Sequence, residues 1–391
     1  MNIKILNATS VAFMLFLAIV SLGLSLAVIP LYINKVLSLP AIWVGVAIAT
    51  ESISTLLSRH YSGKYSDIKG PKLAMLKGQS LILIAGFLFF ITYILDINNV
   101  YISLLIILFS RVIMGVGESL IFTSSGTWPI GLIGREHAGK VMSWVGIAMF
   151  IGLALGNYLG GQLFYKYSLL IPSIIMWTLP CISLIIAIYI PKVAVHNDIT
   201  KIRLSYAVSR IWKAGTGFAL ANTGYAAITS FLLLFFYDKN WNSYGPIALS
   251  LFGIGYVISR LIFSNKTDKM GLKATIISLI IESSGLFLIS LSISPIISML
   301  GSFLTGFGLS MIYPLLALPA IKSLPERNIG TAISTYESCF DIGILLSGVL
   351  GGILVSSFGY NTLFLFTFFC SLGAIIFSKL AYMQLDNEKT L

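Results

Sequence analysis

Apolar runs of about twenty residues or more recur along the whole chain, parted only by short polar breaks. A stretch of that length and hydropathy is what a helix needs to cross a bilayer. In lipid each backbone polar group must find its partner within the segment, which leaves helices as the reading for runs this long. The runs predict twelve helices: near 8–33, 40–61, 73–94, 99–124, 138–163 and 168–190, then near 211–236, 244–265, 273–293, 296–320, 329–355 and 360–383. Only 10% of the 391 residues are charged and 57% are hydrophobic, whereas a soluble domain carries about a quarter charged. The first run is too long for a signal-peptide core and lacks a small-residue cleavage pattern after it, so it counts as a spanning helix. Cys181, Cys339 and Cys370 all lie inside apolar runs. They read as small buried hydrophobes, not as a disulfide set or a metal site, and no metal or cofactor is expected.

The net charge of +11 would suggest nucleic acid in a soluble chain. Its distribution points elsewhere. Take the N-terminus, the even-numbered breaks with their helix ends, and the C-terminus as one side. That side holds 21 of the 25 Lys and Arg residues. Lys35, Lys166 and Lys239 lie on the other, and Arg111 is left within a run. Basic residues mark the cytoplasmic side, so both termini and the segment 191–210 are expected in the cytoplasm. The charge is an orientation signal, and nucleic acid is not an expected partner.

Two polar stretches repeat. "SRHYSGKYSDIKGPK" at 58–72 and "SRLIFSNKTDKMGLK" at 259–273 share serine, arginine, aspartate, glycine and lysine at an offset of 201. "GVGESL" at 115–120 matches "GFGLSM" at 306–311 at an offset of 191. That second offset also carries Gly139 onto Gly330, Gly152 onto Gly343, and Gly160–Gly161 onto Gly351–Gly352. The chain therefore reads as a duplication: a six-helix half at 1–190, a cytoplasmic linker at 191–210, and a six-helix half at 211–391. Parallel halves of this kind build one large class of transporters, with substrate bound near mid-bilayer.

Over nearly its whole length the sequence resembles the major facilitator superfamily. "GKYSDIKGPK" (63–72) is similar to the superfamily's signature between helices two and three, with Gly63, Asp67, Gly70 and Lys72 in place. The basic residue usual after the aspartate is Ile68 here, with Lys69 one place later; the second copy has Asp268–Lys269. "RVIMGVG" (111–117) resembles the fourth-helix arginine motif of the drug/proton antiporter branch. "GLALGNYLGG" (152–161) resembles its fifth-helix motif, with Asn157 where proline is usual. The stretch 117–144 is similar to a bacterial subgroup labelled arabinose-efflux-like. The resemblance implies an all-α membrane protein of twelve spanning helices in the bacterial cytoplasmic (inner) membrane. It also implies a monomer that works by export in exchange for protons.

The motifs have physical content of their own. Asp67 at a helix end suits a neighbouring helix N-terminus, whose dipole favours negative charge. Arg59 and Lys72 can hold the loop by charge-assisted bonds, so Arg59, Gly63, Asp67, Gly70 and Lys72, with Arg260 and Asp268 in the second copy, are the candidate gate. The alternative is a solvated basic loop that only sets topology. Gly152, Gly156 and Gly160 share one helix face, beside Gly161, and permit close helix packing, whether static or made and unmade in a cycle.

Five acids, Glu51, Glu118, Glu282, Glu337 and Asp341, lie within the runs along with Arg111. An ionised group at bilayer centre costs at least about 2.5–3.5 kcal/mol, so such positions are paired or cavity-facing. Arg111 and Glu51 sit at comparable depth, roughly 18 Å from one face, and Glu118 shares the Arg111 face. Glu337 and Asp341 are one turn apart, and two such carboxylates resist ionising together. Arg111, Glu51, Glu118, Glu337 and Asp341 are therefore the proton-coupling candidates. The bland reading is a static salt bridge and a polar stripe. Glu282, followed by two serines on what the resemblance makes a scaffold helix, reads as a packing residue. The histidines His60, His137 and His196 fall at the cytoplasmic edge. Trp128, Asn157, Asn222, Tyr225, Tyr313 and Tyr336 are candidates for a substrate cavity, although belts and packing explain most aromatics.

The expected function is proton-coupled export of a small organic molecule. A symporter or facilitator importing a metabolite, or an exporter of a metallophore or siderophore, fits the same residues. A transport-derived sensor would need a soluble domain larger than 191–210. An intramembrane enzyme would need a motif such as G-x-S-x-G, H-E-x-x-H or a P-loop, none of which occurs.

Overall fold

In a computed structural model the chain is described over residues 3–40, 42–94, 99–193, 202–241 and 243–389. Twelve α-helices carry the described fold: α1 (Ile3–Leu31), α2 (Ile42–Lys69), α3 (Pro71–Ile94), α4 (Val100–Ile133), α5 (Ala138–Tyr167), α6 (Leu170–Tyr189), α7 (Leu204–Asp238), α8 (Gly245–Phe263), α9 (Leu272–Ser290), α10 (Pro295–Lys322), α11 (Ile329–Phe358) and α12 (Tyr360–Lys389). Short 3₁₀ turns at Arg135–His137 and Glu326–Asn328 lead into α5 and α11, so the duplication at offset 191 reaches down to the turns. Residues 194–201 of the expected linker, with His196, lie outside the described residues.

Local chemistry sets the helix ends. Asn99 accepts from the amides of Tyr101 and Ile102 at 3.0 and 3.3 Å, capping α4. Ser294 caps α10 with Pro295 in its first turn, where a missing N–H costs nothing. Several helices outrun the apolar runs that predicted them. The run behind α4 was expected to stop near 124, and the helix continues to Ile133. Ser124 and Thr127 donate back to the carbonyls of Leu120 and Thr123, at 2.6 and 2.9 Å. A hydroxyl-rich stretch that reads as a break thus satisfies itself within the helix.

Eleven of the helices are long and apolar enough to cross a membrane; α2 is the exception. Its middle carries Glu51, Ser52, Ser54, Thr55, Ser58 and Arg59, and of these Glu51 and Thr55 enter the polar centre of the candidate site.

The chain gathers into two compact units. One comprises Met1–Arg135, Ile147–Lys201 and Arg327–Ser334; the other comprises Glu136–Gly146, Ile202–Glu326 and Thr335–Leu391. In the first, α4 packs on α1, α2 and α3, and α6 packs on α1 and α3. In the second, α10 packs on α7, α8 and α9, and α12 packs on α7 and α9. Each of these pairings in one unit has its counterpart six helices on in the other. The duplication read from glycine and charge spacing is a duplication of packing.

Candidate functional site

In the first unit the polar centre forms where α1, α2 and α4 meet. Arg111 is fully buried and pairs through Nη2 with Glu51 Oε2. Its Nη1 donates to Ser25 Oγ at 2.7 Å and approaches Met114 Sδ at 3.3 Å. Nearer the other end of α2, Thr55 Oγ1 donates to Glu118 Oε2 at 2.7 Å and lies 3.2 Å from the Gly115 carbonyl. Gly115 allows this approach: a Cβ there would come within 2.9 Å of the Ser54 Cβ. The guanidinium is thus paired directly with Glu51. A second carboxylate lies two turns along α4, held by a hydroxyl. Breaking such a buried pair from one side leaves an uncompensated charge. Ser25 and Thr55 were not singled out from the sequence, since a lone hydroxyl inside an apolar run usually bonds its own helix.

The two aspartates of the repeated loops do the same job in their respective units. Asp67 accepts from the backbone N–H groups of Gly330 and Thr331 at 2.7 and 2.9 Å, and from Thr331 Oγ1 at 2.6 Å. It thereby caps the first turn of α11, where the helix dipole favours an anion. Burial, the largest influence, lifts the Asp67 carboxyl to about 6 while the three hydrogen bonds pull it down. Asp268 accepts from the N–H groups of Gly139 and Lys140 at 2.6 and 3.1 Å, capping α5. Burial raises its carboxyl too, opposed by those bonds and by His137 and Lys322. Gly63 and Gly330 are glycines because the backbones meet there: a Cβ on Gly330 would lie 2.7 Å from the Gly63 carbonyl. Gly70 ends α2 with a φ of 92°, a left-handed turn that glycine adopts without strain.

The other loop residues are placed differently. Arg59 is buried with its guanidinium 5.4 Å from the Phe122 ring centroid. Lys72 donates to the Ile190 carbonyl at 2.7 Å, and Trp128, fully buried, donates its indole N–H to the Pro191 carbonyl at 3.0 Å. The ammonium and the indole lie 5.8 Å apart. Lys72, expected in the gate, and Trp128, expected at a cavity, together fasten the end of α6. A cation suits the carbonyl end of a helix.

In the second unit Arg260 is fully buried and donates to Ser310 Oγ at 3.2 Å, to Tyr256 Oη at 2.6 Å and to the Ser310 carbonyl. Its Nη1 reaches the carbonyls of Met142 and Ser143 in the first turns of α5, at 3.3 and 3.4 Å. Tyr256 stands one turn before Arg260 on the same face, a spacing that by itself does not tell a brace from ordinary packing. Glu337 is buried and accepts from Tyr313 Oη at 3.2 Å. Tyr336 Oη donates to the Tyr313 carbonyl at 2.9 Å. Asp341, Tyr225 and Tyr313 are partly exposed. Asn222 donates to the Phe218 carbonyl at 2.8 Å, and Asn157 is exposed. Glu282 is fully buried against Gly224, on a helix whose Ser283 bonds Ser371 of α12 at 3.0 Å.

The glycine face of α5 meets α1. A Cβ on Gly156 would strike the Val20 carbonyl and lie 2.9 Å from the Gly23 Cα; one on Gly160 would lie 2.9 Å from the Leu24 carbonyl. Gly152 meets Phe16 and Ile19, whereas Gly161 has nothing within 4 Å. Among the described residues no group of three or more His, Cys, Asp or Glu side chains could hold a metal ion.

The profile of the Major Facilitator Superfamily matches residues 11–316 and 217–390. The chain belongs to the major facilitator superfamily. Within it, the chain is 32% identical over 361 residues to YhhS of Escherichia coli (strain K12), an uncharacterized MFS-type transporter, covering 92% of this chain and 88% of that one. It is 30% identical over 365 residues to the uncharacterized MFS-type transporter STM4428 of Salmonella typhimurium, covering 93% of each. Among solved structures of the superfamily, its fold is similar to that of the transporter FucP in its outward conformation, with a TM-score of 0.80 at 15% identity over 97% of this chain and 99% of that one. A bacterial homologue of the iron transporter ferroportin gives a TM-score of 0.81 at 14% identity over 96% and 99%. This superfamily member is a multi-pass membrane transporter and not an enzyme.

Proposed function

We propose that this transporter exports a small organic molecule from the bacterial cytoplasm in exchange for protons, by alternating access. The observation that carries the proposal is the Arg111–Glu51 pair with Ser25 beside it. A guanidinium cannot shed its charge, so the carboxylates must do the titrating while arginine sets their hold on a proton. Glu51 gives up its arginine contact when it takes a proton, and Glu118, already held by Thr55, is the second acceptor along α4. The Asp67 and Asp268 caps are contacts to be made in one gate state and broken in the other. The basic-residue distribution supports a cytoplasmic position for both termini.

Everted membrane vesicles, acidified inside by respiration, test this reading. A substrate added outside an antiporter enters as protons leave, and the pH gradient falls. A proton symporter importing the same compound would not discharge the gradient under these conditions. A panel of candidate compounds that leaves the gradient intact in vesicles rich in the protein, while a downhill uptake assay registers their movement, would overturn the antiport reading.

A further inference from the structure

We propose that the second unit carries a binding site for an organic cation, an amine or onium group on an apolar body, formed by the aromatic patch of α7, α8, α10 and α11 with Glu337 and Asp341. The assignment rests on the exporter reading above and gives its substrate a chemical class. It also gives those two acids a different task from the one their spacing suggested: they pair with the ligand instead of carrying the proton.

The patch has a floor and a rim. Phe218 and Tyr336 are buried and stack with centroids 4.5 Å apart at 15°. Around them stand the partly exposed rings of Tyr313, Phe340 and Tyr225. Tyr313 lies 5.4 Å and Phe340 5.7 Å from Phe218, and Tyr225 lies 6.1 Å from Phe340 and from Phe252. The carboxylates enter from α11: Glu337 is held by the Tyr313 hydroxyl, and Asp341 follows one turn on, partly exposed. Ring faces are negative, so rings and carboxylates together select a cation and repel an anion. Arg260 is a basic group that approaches, 6.0 Å from the Tyr313 ring. It is engaged by Ser310, Tyr256 and two α5 carbonyls.

Comparison of the two copies strengthens the case. At offset 201 Glu51 corresponds to Phe252, and at offset 191 Arg111 corresponds to Ser302. Ser302 donates to the Ala248 carbonyl at 2.7 Å, so the second unit fills the place of the ion pair with a ring and a helix-to-helix hydrogen bond. In the reverse direction, Tyr336, Glu337, Phe340 and Asp341 correspond to Val145, Gly146, Met149 and Phe150. The charged pair exists in one copy alone and the aromatic, acidic face in the other alone. If both were mere packing, a shared scaffold would not require them to diverge in opposite directions. A division of labour between proton and ligand does.

The test is equilibrium binding to the purified full chain in detergent with no pH gradient, using radiolabelled tetraphenylphosphonium. Tetraphenylborate, of the same shape and opposite charge, is the competitor. Saturable binding of the cation is expected, without competition by the borate. Asp341→Asn should weaken it about tenfold and Phe340→Leu about threefold. Asp341→Glu, which keeps the charge, should bind within about threefold of the parent and guards against a misfolded Asn variant. No saturable binding, equal binding of the borate, or unchanged affinity in both Asp341→Asn and Phe340→Leu would overturn the site. Cation binding without any substrate-driven loss of the vesicle pH gradient would sink the exporter reading and leave the site standing. Gradient loss driven by neutral or anionic compounds alone, with no phosphonium binding, would do the reverse.

Discussion

Arg111 can be exchanged for lysine without losing charge, but not without losing the planar fork that meets a carboxylate and a hydroxyl at once. Nη2 faces Glu51 while Nη1 faces Ser25, and an ammonium is a point charge that cannot hold that pair of directions. Arg111→Lys is expected to slow substrate-driven proton movement about tenfold or more, and Arg111→Ala to abolish it. Glu51→Gln should impair coupling far more than Glu282→Gln, because Glu51 pairs with the arginine whereas Glu282 is packed against Gly224 in the second unit. The measurement is pH-gradient dissipation at matched protein levels. A Glu282 variant that proves the more damaging of the two would refute the assignment. Asp67 gives a second prediction at this scale, on pH. A carboxyl lifted to about 6 binds its proton more tightly when docked on α11 than when released into water. Its contribution to docking is therefore fully present below the ordinary carboxylate range and is lost as pH rises through about 6. Hydrogen exchange of the Gly330 and Thr331 amides, corrected for intrinsic rates, should quicken from pH 4 to pH 6 and level off above. Asp67→Asn should remove that dependence and reduce transport without loss of membrane insertion. A flat profile in the parent would contradict the argument.

At the scale of elements, the α1–α5 contact is a place where side-chain volume decides packing. Gly156 faces the Val20 carbonyl and the backbone of Gly23, with no flexible side chain to move aside. Gly156→Leu should lower the stability of the purified protein by about 1–3 kcal/mol or more, as overpacking does, and block transport. Gly161→Leu should do neither, because that position is open. Thermal unfolding in detergent compares the pair directly. Equal melting temperatures for the two variants would mean that α1 and α5 are not held at this distance. The same scale explains the limit of the sequence reading for α2 and α4, whose helices run past their apolar stretches. The serines and threonines there bond the helix or its neighbour: Ser62 and Ser119 meet at 2.9 Å, and Ser66 and Thr127 at 3.0 Å.

For the whole molecule, the basic residues make a topological prediction. With the native cysteines replaced, a cysteine at Lys166 should react with a membrane-impermeant maleimide in intact cells, and one at Lys69 should react only after the membrane is opened. Labelling in the opposite sense would reverse the orientation and, with it, the direction of transport proposed above.

What the sequence determined by itself follows from local rules. Apolar length gives eleven of the twelve helices, because a bilayer leaves the backbone no other way to satisfy itself. Matching offsets of 201 and 191 give the duplication, because each copy needs the same glycines and aspartates to close the same turns. The depth of Arg111 and Glu51 along their helices follows from helical rise alone. Tertiary structure decided which side chains meet. Arg111 draws Ser25 from α1, Lys72 and Trp128 turn to the end of α6, and Tyr256 braces Arg260. Gly156 and Gly161 look alike in a sequence and differ entirely in what stands opposite them. Periodicity fixes the face a residue occupies; the partner comes from another helix, brought there by packing that no single run encodes.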